Sequence, residues 1–311
     1  MRYVLLYGSL TLAAIAWLTI RPLLQSAAPE LGSPQRPIQL MLTPSVENQK
    51  VTTSADSLVA YLHRATGLWF TAAVPTSYIV VVESFGSGGV DVAITNTFSY
   101  ILAHEKYGAE AALMVVRRGG ETHYRGQIIA HVASGIRTIE DLAGKRFAFV
   151  DAASTSGYIL PKALLERHGI RLGQVLFAGK HDNVVTMVYQ RQVDAGATYY
   201  SPPDPSTGEV LDARARVRTQ FPDVLEKVRI VALTDPIPND PIVFRRGFPA
   251  SLRERIVRAL LDFQRTPTGR RILYDAYSVE GLAPASDRDY DTLRTIIRNF
   301  GGDLEALLRR R

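Results

Sequence analysis

The sequence predicts an α/β fold divided into two lobes, and three observations carry that expectation. Segments of strand composition alternate with segments of helical periodicity, the pattern of sheets layered with helices. The chain has 311 residues, more than one compact core normally fills. A strand over 147–150 also runs through Asp151-Ala152-Ala153-Ser154-Thr155-Ser156-Gly157 directly into an amphipathic helix over 158–168. At 46% hydrophobic and 21% charged, the chain is too apolar for disorder and too charged for a multi-span membrane protein.

From the N-terminus, Arg2 precedes an apolar run over 5–20, with Arg21 soon after it. Its length lies between a signal-peptide core and a short transmembrane helix. Gln25-Ser26-Ala27-Ala28-Pro29 offers small residues to a signal peptidase, although Pro29 blocks a cut directly after Ala28. Residues 1–28 are read as a signal peptide or signal anchor. The rest is expected to work in the periplasm, free or held at the inner membrane by an uncleaved segment. Residues 29–37, with Pro29, Gly32, Ser33, Pro34 and Pro37, read as an extended linker.

Strands are predicted over 38–42, 70–74, 90–95, 124–131, 147–150, 175–177, 193–199 and 228–233. Helices are predicted over 54–66, 78–85, 139–143, 158–168, 181–190, 249–265, 268–277 and 288–300. This alternation argues for mostly parallel sheets. Residues 200–209, holding Pro202, Pro203 and Pro205, read as loop. The net charge is +6, and its basic residues are scattered; Arg309-Arg310-Arg311 reads as a solvated tail, so nucleic acid is not an expected partner. Cysteine is absent, which excludes disulfides, thiol nucleophiles and zinc-thiolate sites.

The best local signal for chemistry is Ser154-Thr155-Ser156-Gly157 at a helix start. A helix N-terminus leaves backbone N–H groups unsatisfied and suits an oxyanion, hydroxyls add donors, and glycine allows close approach. Ser and Thr are equally ordinary helix caps, so this signal alone does not decide. His181 and Asp182 begin another helix, Tyr78 a helix and Tyr124 a strand; each is a common packing or capping residue that can also donate to a ligand oxygen. Asp194 reads as a turn residue. The chain has no Gly-x-Ser-x-Gly elbow, His-Glu-x-x-His motif or Walker loop, and Gly86-Ser87-Gly88-Gly89 lacks the dinucleotide fingerprint, so no cofactor or metal is expected.

Several stretches in combination resemble the phosphate/phosphite/phosphonate substrate-binding proteins of ABC transporters. They are Gly86-Ser87-Gly88-Gly89-Val90-Asp91-Val92-Ala93, the run from Gly135 through Glu140-Asp141-Leu142-Ala143-Gly144-Lys145-Arg146, and Phe149-Val150-Asp151-Ala152-Ala153-Ser154-Thr155-Ser156-Gly157-Tyr158. Phe177-Ala178-Gly179-Lys180-His181-Asp182, Val193-Asp194-Ala195-Gly196-Ala197 and Ile237-Pro238-Asn239-Asp240-Pro241 complete the set, in the family's order, over roughly 37–265. The resemblance implies a type 2 periplasmic binding protein: two α/β lobes joined by two crossing strands, near 124–131 and 228–234, with the ligand between them. Lobe 1 would hold 37–123 and 236–311, lobe 2 124–235. The resemblance further implies that Ser154, Thr155 and Ser156 hold the anion, that Tyr78, Tyr124 and His181 contact it, and that Asn96, Thr97 and Asp240 face the cleft. Members that bind aminoalkylphosphonates carry a carboxylate where this chain reads Thr198-Tyr199-Tyr200-Ser201, with no acid before Asp204. That tilts the expectation toward phosphite, phosphate or a simple alkylphosphonate.

The expected function is therefore capture of a small phosphorus oxyanion by a monomeric binding protein for an ABC permease, without catalysis. Two rivals are a membrane-tethered sensing module and a hydrolase built on Ser154 or Ser156 with His181 and Asp194.

Overall fold

The computed structural model describes residues 28–46, 48–277 and 279–301. The apolar N-terminal run and Arg309-Arg310-Arg311 lie outside them. Among the described residues, no helix is long and apolar enough to cross a membrane. The proline-rich segment before the first strand is not a free linker. Gly32 N donates to Arg36 O at 2.8 Å and Gly32 O accepts from Trp69 N at 2.8 Å, so its backbone is satisfied by a turn lying on the body of the protein.

In chain order the first elements are β1 (Ile38–Leu42), α1 (Asn48–Thr66), β2 (Phe70–Ala73), α2 (Tyr78–Ser87), β3 (Val92–Ile94), α3 (Thr97–Tyr107) and β4 (Glu110–Val116). The long strand β5 (His123–His131) leads to β6 (Phe147–Phe149), a π-helical turn Thr155–Ile159, α4 (Leu160–Arg167), β7 (Val175–Phe177), α5 (His181–Tyr189) and β8 (Ala195–Tyr200). After α6 (Val224–Lys227), the long strand β9 (Val228–Pro238) is followed by β10 (Pro241–Phe244), α7 (Ala250–Phe263), α8 (Pro267–Tyr277), β11 (Gly281–Pro284) and α9 (Asp291–Gly301).

Two sheets form. One has the order β11-β4-β10-β3-β1-β2, the other β7-β6-β8-β5-β9. Their strands come from 38–116 with 241–284, and from 123–238, so the chain passes between lobes along the antiparallel pair β5 and β9. The expectation of mostly parallel sheets is corrected here. β1 pairs in parallel with β2 and β3, and β6 with β7 and β8, but β10, β11, β5 and β9 all run antiparallel to their neighbours. β5 and β10 each arrive from the other lobe and so enter their sheets from the opposite end, which reverses their direction.

Alternation of side chains across each strand builds a core on both faces of the first sheet. Ile38, Leu40 and Leu42 of β1 pack with Val51, Leu58 and Leu62 of α1 and Ile256, Leu260 and Phe263 of α7. Ala93 and Val243 face the other way, toward Val81, Phe98 and Ile101 of α2 and α3. In the second sheet Ile128, Phe147, Ala148 and Ala195 pack on Leu164, Val184 and Val188. Burying one such Leu, Ile or Phe fully contributes roughly 1.5–3 kcal/mol, so these layers hold each sheet rigid.

Asp91 couples three strands. Its carboxylate accepts from Gln39 N at 3.0 Å and pairs with Arg245 Nε at 2.6 Å, while Arg245 N donates to Asp91 O at 2.9 Å. Asp91→Ala should lower stability by roughly 2 kcal/mol, the worth of hydrogen bonds to a charged group. A urea unfolding midpoint equal to wild type would show that the other ladder bonds suffice.

Candidate anion-binding cleft

Four helical segments begin where the lobes meet. Tyr78 is the first residue of α2, Asn96 is the N-cap of α3, Ser154 caps the π-helical turn that continues into α4, and His181 opens α5. The first two belong to one lobe and the last two to the other. A helix start exposes unsatisfied N–H groups and a partial positive charge, so four of them around one point make an electropositive, donor-rich pocket. The cavity between them is lined by Ser45, Val46, Tyr78, Asn96, Arg117, Tyr124, Ser154, Ser156, His181, Tyr199, Arg216 and Asp240. Its free volume is about 30 Å³. One water needs roughly 10–15 Å³, so the space is on the scale of one small polyatomic group.

The lobes already touch around this cavity. Phe98 N donates to Thr155 Oγ1 at 2.9 Å, and Thr155 Oγ1 donates to Asn96 Oδ1 at 2.8 Å. Tyr78 N lies 3.5 Å from Asp151 Oδ2, and His181 N donates to Ser45 O at 3.2 Å. Thr155 is therefore placed differently from its two neighbours. Ser154 and Ser156 line the cavity, whereas the fully buried Thr155 hydroxyl is engaged with the opposite lobe. Thr97 likewise does not line the cavity, because its hydroxyl donates to Pro238 O at 2.7 Å. Tyr78, Tyr124, Asn96, His181 and Asp240 all do.

Local sequence explains the cradle. Ser154 Oγ accepts from Gly157 N at 3.1 Å, and Val150 N donates to Gly157 O at 3.1 Å, which fixes the turn against the end of β6. A Cβ on Gly157 would sit 2.4 Å from a Val150 methyl, so only glycine fits. The turn is π-helical, and such widened turns recur at functional sites. Gly126 on the crossing strand β5 is equally constrained: a Cβ there would lie 2.8 Å from Ser156 O.

Electrostatics shape the remaining groups. His181 is buried and its Nδ1 lies 2.8 Å from Thr198 Oγ1. Burial, helped by Arg117 and Arg216, pushes its pKa down to about 3, so the imidazole is neutral at ordinary pH. Burial pushes Asp240 up to about 6, against the opposing pull of Arg117 and of hydrogen bonds from Tyr124 and Thr97 N–H. Tyr124 Oη lies 3.4 Å from Asp240 Oδ1, and burial raises its own pKa. The Asn239-Asp240 loop is anchored by Asn239 Nδ2, which donates to Val115 O at 2.9 Å and Glu121 O at 2.8 Å.

Arg117 and Arg216 escaped the sequence analysis. Arg117 follows β4, an element that it did not assign, and Arg216 lies in a short 3-10 turn, Ala213–Val217. No local motif marks either one. Asp194, by contrast, pairs with Arg146 at 2.8 Å and does not line the cavity, so the hydrolase grouping of Ser154 or Ser156 with His181 and Asp194 is not assembled. Asp204 Oδ1 is turned onto its own loop, accepting from Ser206 N at 2.7 Å and Thr207 N at 3.0 Å. Among the described residues there is no group of three His, Asp or Glu placed to hold a metal.

Comparison with known proteins places this chain in a family. The model of the family described as ABC transporter, phosphonate, periplasmic substrate-binding protein matches residues 40–290. The chain belongs to that family. The Phosphate-import protein PhnD of Mycolicibacterium smegmatis is 30% identical over 175 residues, 52% of this chain and 54% of that protein. The Phosphonates-binding periplasmic protein of Escherichia coli is 24% identical over 224 residues, 68% of this chain and 62% of that protein. The chain thus spans between about half and two thirds of the length of these curated relatives. A binding-protein component of an ABC phosphonate transporter from Pseudomonas aeruginosa superposes with a TM-score of 0.74 at 16% identity, covering 88% of this chain and 93% of that one. PhnD1 from Prochlorococcus marinus, in complex with methylphosphonate, gives 0.70 at 15% identity, over 84% and 97%. The fold is the mixed α/β, two-lobed fold of periplasmic binding proteins.

Two outcomes follow from this geometry. Thr155→Val should keep each lobe intact but remove hydrogen bonds to Asn96 and Phe98, so small-angle scattering should give a larger radius of gyration than for wild type; superimposable curves would remove Thr155 as an interlobe contact. The second concerns acid. Unfolded His181 takes up a proton below about 6.5 that the folded form refuses until about 3, so its contribution to stability is lost as pH falls. Asp240 has the opposite sign: folded protein binds its proton from about 6, before the unfolded chain does, so its contribution grows as pH falls. The two oppose each other between about 4 and 6. Asp240→Asn should therefore lose stability more steeply than wild type between pH 7 and 4.5 by urea unfolding, and parallel curves would refute the assignment.

Proposed function

We propose that this chain is an extracytoplasmic solute-binding protein that captures a small phosphorus oxyanion, of the phosphite, phosphonate or phosphate kind, and presents it to an ABC permease without chemical change. The observation that carries this reading is the small cavity at four helix starts, walled by Ser154, Ser156, Tyr78, Tyr124 and His181 together with two guanidiniums. Hydroxyl and N–H donors suit phosphoryl oxygens, and charge-assisted hydrogen bonds in a water-poor cleft are the strong kind. Family membership and the names of the relatives support the same ligand class. The cavity volume, about 30 Å³, favours phosphite, phosphate or methylphosphonate over a ligand with a longer chain. Asp204, folded onto its own loop, does not line the cavity, and Asp240 is the carboxylate among the lining residues.

The site residues proposed are Tyr78, Asn96, Tyr124, Ser154, Ser156, His181 and Asp240 as direct contacts, with Thr155 and Thr97 holding the lobes and the Pro238 loop around them. Calorimetry with phosphite, methylphosphonate, phosphate and sulfate is the test. At least one phosphorus oxyanion should bind, and Ser156→Ala should weaken it by roughly tenfold or more, as for a lost hydrogen bond to a charged group. Failure of all three phosphorus anions to bind the wild-type protein would overturn the proposal.

A further inference from the structure

We infer that Arg117 and Arg216 form a cationic clamp, one guanidinium from each lobe, which makes the cleft select the doubly charged form of a tetrahedral oxyanion over a singly charged anion. This deepens the reading above and rests on it.

Arg117 directly follows β4 in the first lobe and is only 8% exposed. Its guanidinium lies over the Tyr124 ring at 5.0 Å and the Tyr199 ring at 5.7 Å. Arg216 comes from the second lobe, and its Nε donates to Tyr199 Oη at 3.3 Å. Tyr199 thus meets a cation from each lobe, and all three residues line the cavity. An arginine stays charged at any relevant pH, so this positive charge does not titrate away. Two cations drawn together by lobe closure repel each other unless negative charge lies between them.

Two carboxylates offset part of that charge. Asp182 acts on Arg216 and Tyr199, and Asp240 faces Arg117, Tyr124 and the Thr97 N–H. Asp240 takes a proton readily in its buried position, and a protonated carboxyl donates to an anion instead of repelling it. The His181 imidazole at the cavity is held neutral by burial with the help of both arginines, so it adds no charge. An anion bound beside Asp240 favours its protonated form further, so in the complex the two guanidiniums face one ionised carboxylate, Asp182, and the cleft keeps a positive excess. The cavity's roughly 30 Å³ is on the scale of one tetrahedral group, so charge on that group lies between the two guanidiniums more closely than charge on a side arm would.

The test compares methylphosphonate with dimethylphosphinate by calorimetry at pH 8. The two have the same number of heavy atoms, but there the first is mainly the dianion and the second a monoanion. Both are measured on the full chain at the same pH. Wild type should prefer methylphosphonate by ~100-fold. Arg117→Met and Arg216→Met should each cut that ratio by ~10-fold, the scale of one hydrogen bond to a charged group, and Arg117→Lys should restore most of it. Arg216 is only partly buried, so its Met variant keeps the test decisive if Arg117→Met does not fold. Arginine variants that retain the wild-type ratio, or weaken both probes equally, would overturn the clamp alone. Wild-type protein that binds neither methylphosphonate, phosphite nor phosphate would overturn the anion reading and the clamp with it.

Discussion

Four helix starts facing one another are the constraint around which this structure is arranged. Each brings a partial positive charge and unsatisfied N–H groups to the same few ångströms, and such ends repel unless hydrogen-bond acceptors or an anion lie among them. The protein supplies part of the answer itself. Asn96 Oδ1 accepts from Phe98 N and Ser99 N, Ser154 Oγ accepts from Gly157 N, Asp151 Oδ2 lies 3.5 Å from Tyr78 N, and Ser45 O accepts from His181 N. Two of these acceptors belong to the lobe opposite their donor. Capping each helix and joining the lobes are therefore partly the same set of bonds.

That arrangement also explains why the crossing strands are so tightly specified. β5 carries Tyr124 into the cavity and passes Gly126 beneath the Ser156 carbonyl, while its neighbour β9 supplies Thr234, whose Oγ1 accepts from Gly126 N at 2.8 Å. The end of β9 then delivers Pro238 O to Thr97 and the Asn239-Asp240 corner to the cavity wall. The strands that connect the lobes are at the same time a wall of the candidate cleft. Displacement of either strand would move donors on both sides of the ligand.

How much of this was legible in the sequence depended on how local each cause is. The strand-to-helix passage at Ser154-Thr155-Ser156-Gly157 and the helix starts at Tyr78 and His181 are written in neighbouring residues, and the structure places them around one cavity. The predicted helix over 139–143 shrinks to one 3-10 turn, Glu140–Leu142, because Asp141 Oδ2 turns back to cap the N–H groups of Arg137 and Thr138. The run Thr97–Val116 was not divided into α3 and β4, although Asn96 and Gly108 cap α3 at its two ends. Arg117 and Arg216 were illegible for a different reason. Each reaches the cleft through long-range pairing, β4 against β10 in one case and the packing of Arg216 on Tyr199 in the other, and a chain with scattered arginines offers no sign of which two converge. Thr155 carried the right local pattern, but whether its hydroxyl turns to the cavity or to the facing lobe is set by Asn96 and Phe98, more than fifty residues away.

The interlobe bonds bear on how such a cleft can both hold and release an anion. A neutral hydrogen bond is worth roughly 0.5–1.5 kcal/mol net and one to a carboxylate such as Asp151 up to about 3, so the few between Thr155, Tyr78, His181 and the facing lobe amount to a bias of a few kcal/mol toward closure. Opposing them is the repulsion of four helix ends and two guanidiniums brought together in a site largely closed to water. A bias this small can be outweighed by a ligand whose affinity differs between an open and a closed form. In the proposed anion complex the ligand's charge would act twice: it would accept hydrogen bonds from both lobes, and it would remove the repulsion that closure otherwise incurs. Because the same bonds and charges lie on the contact between the lobes, separating the lobes would weaken the ligand's hold without any chemical step.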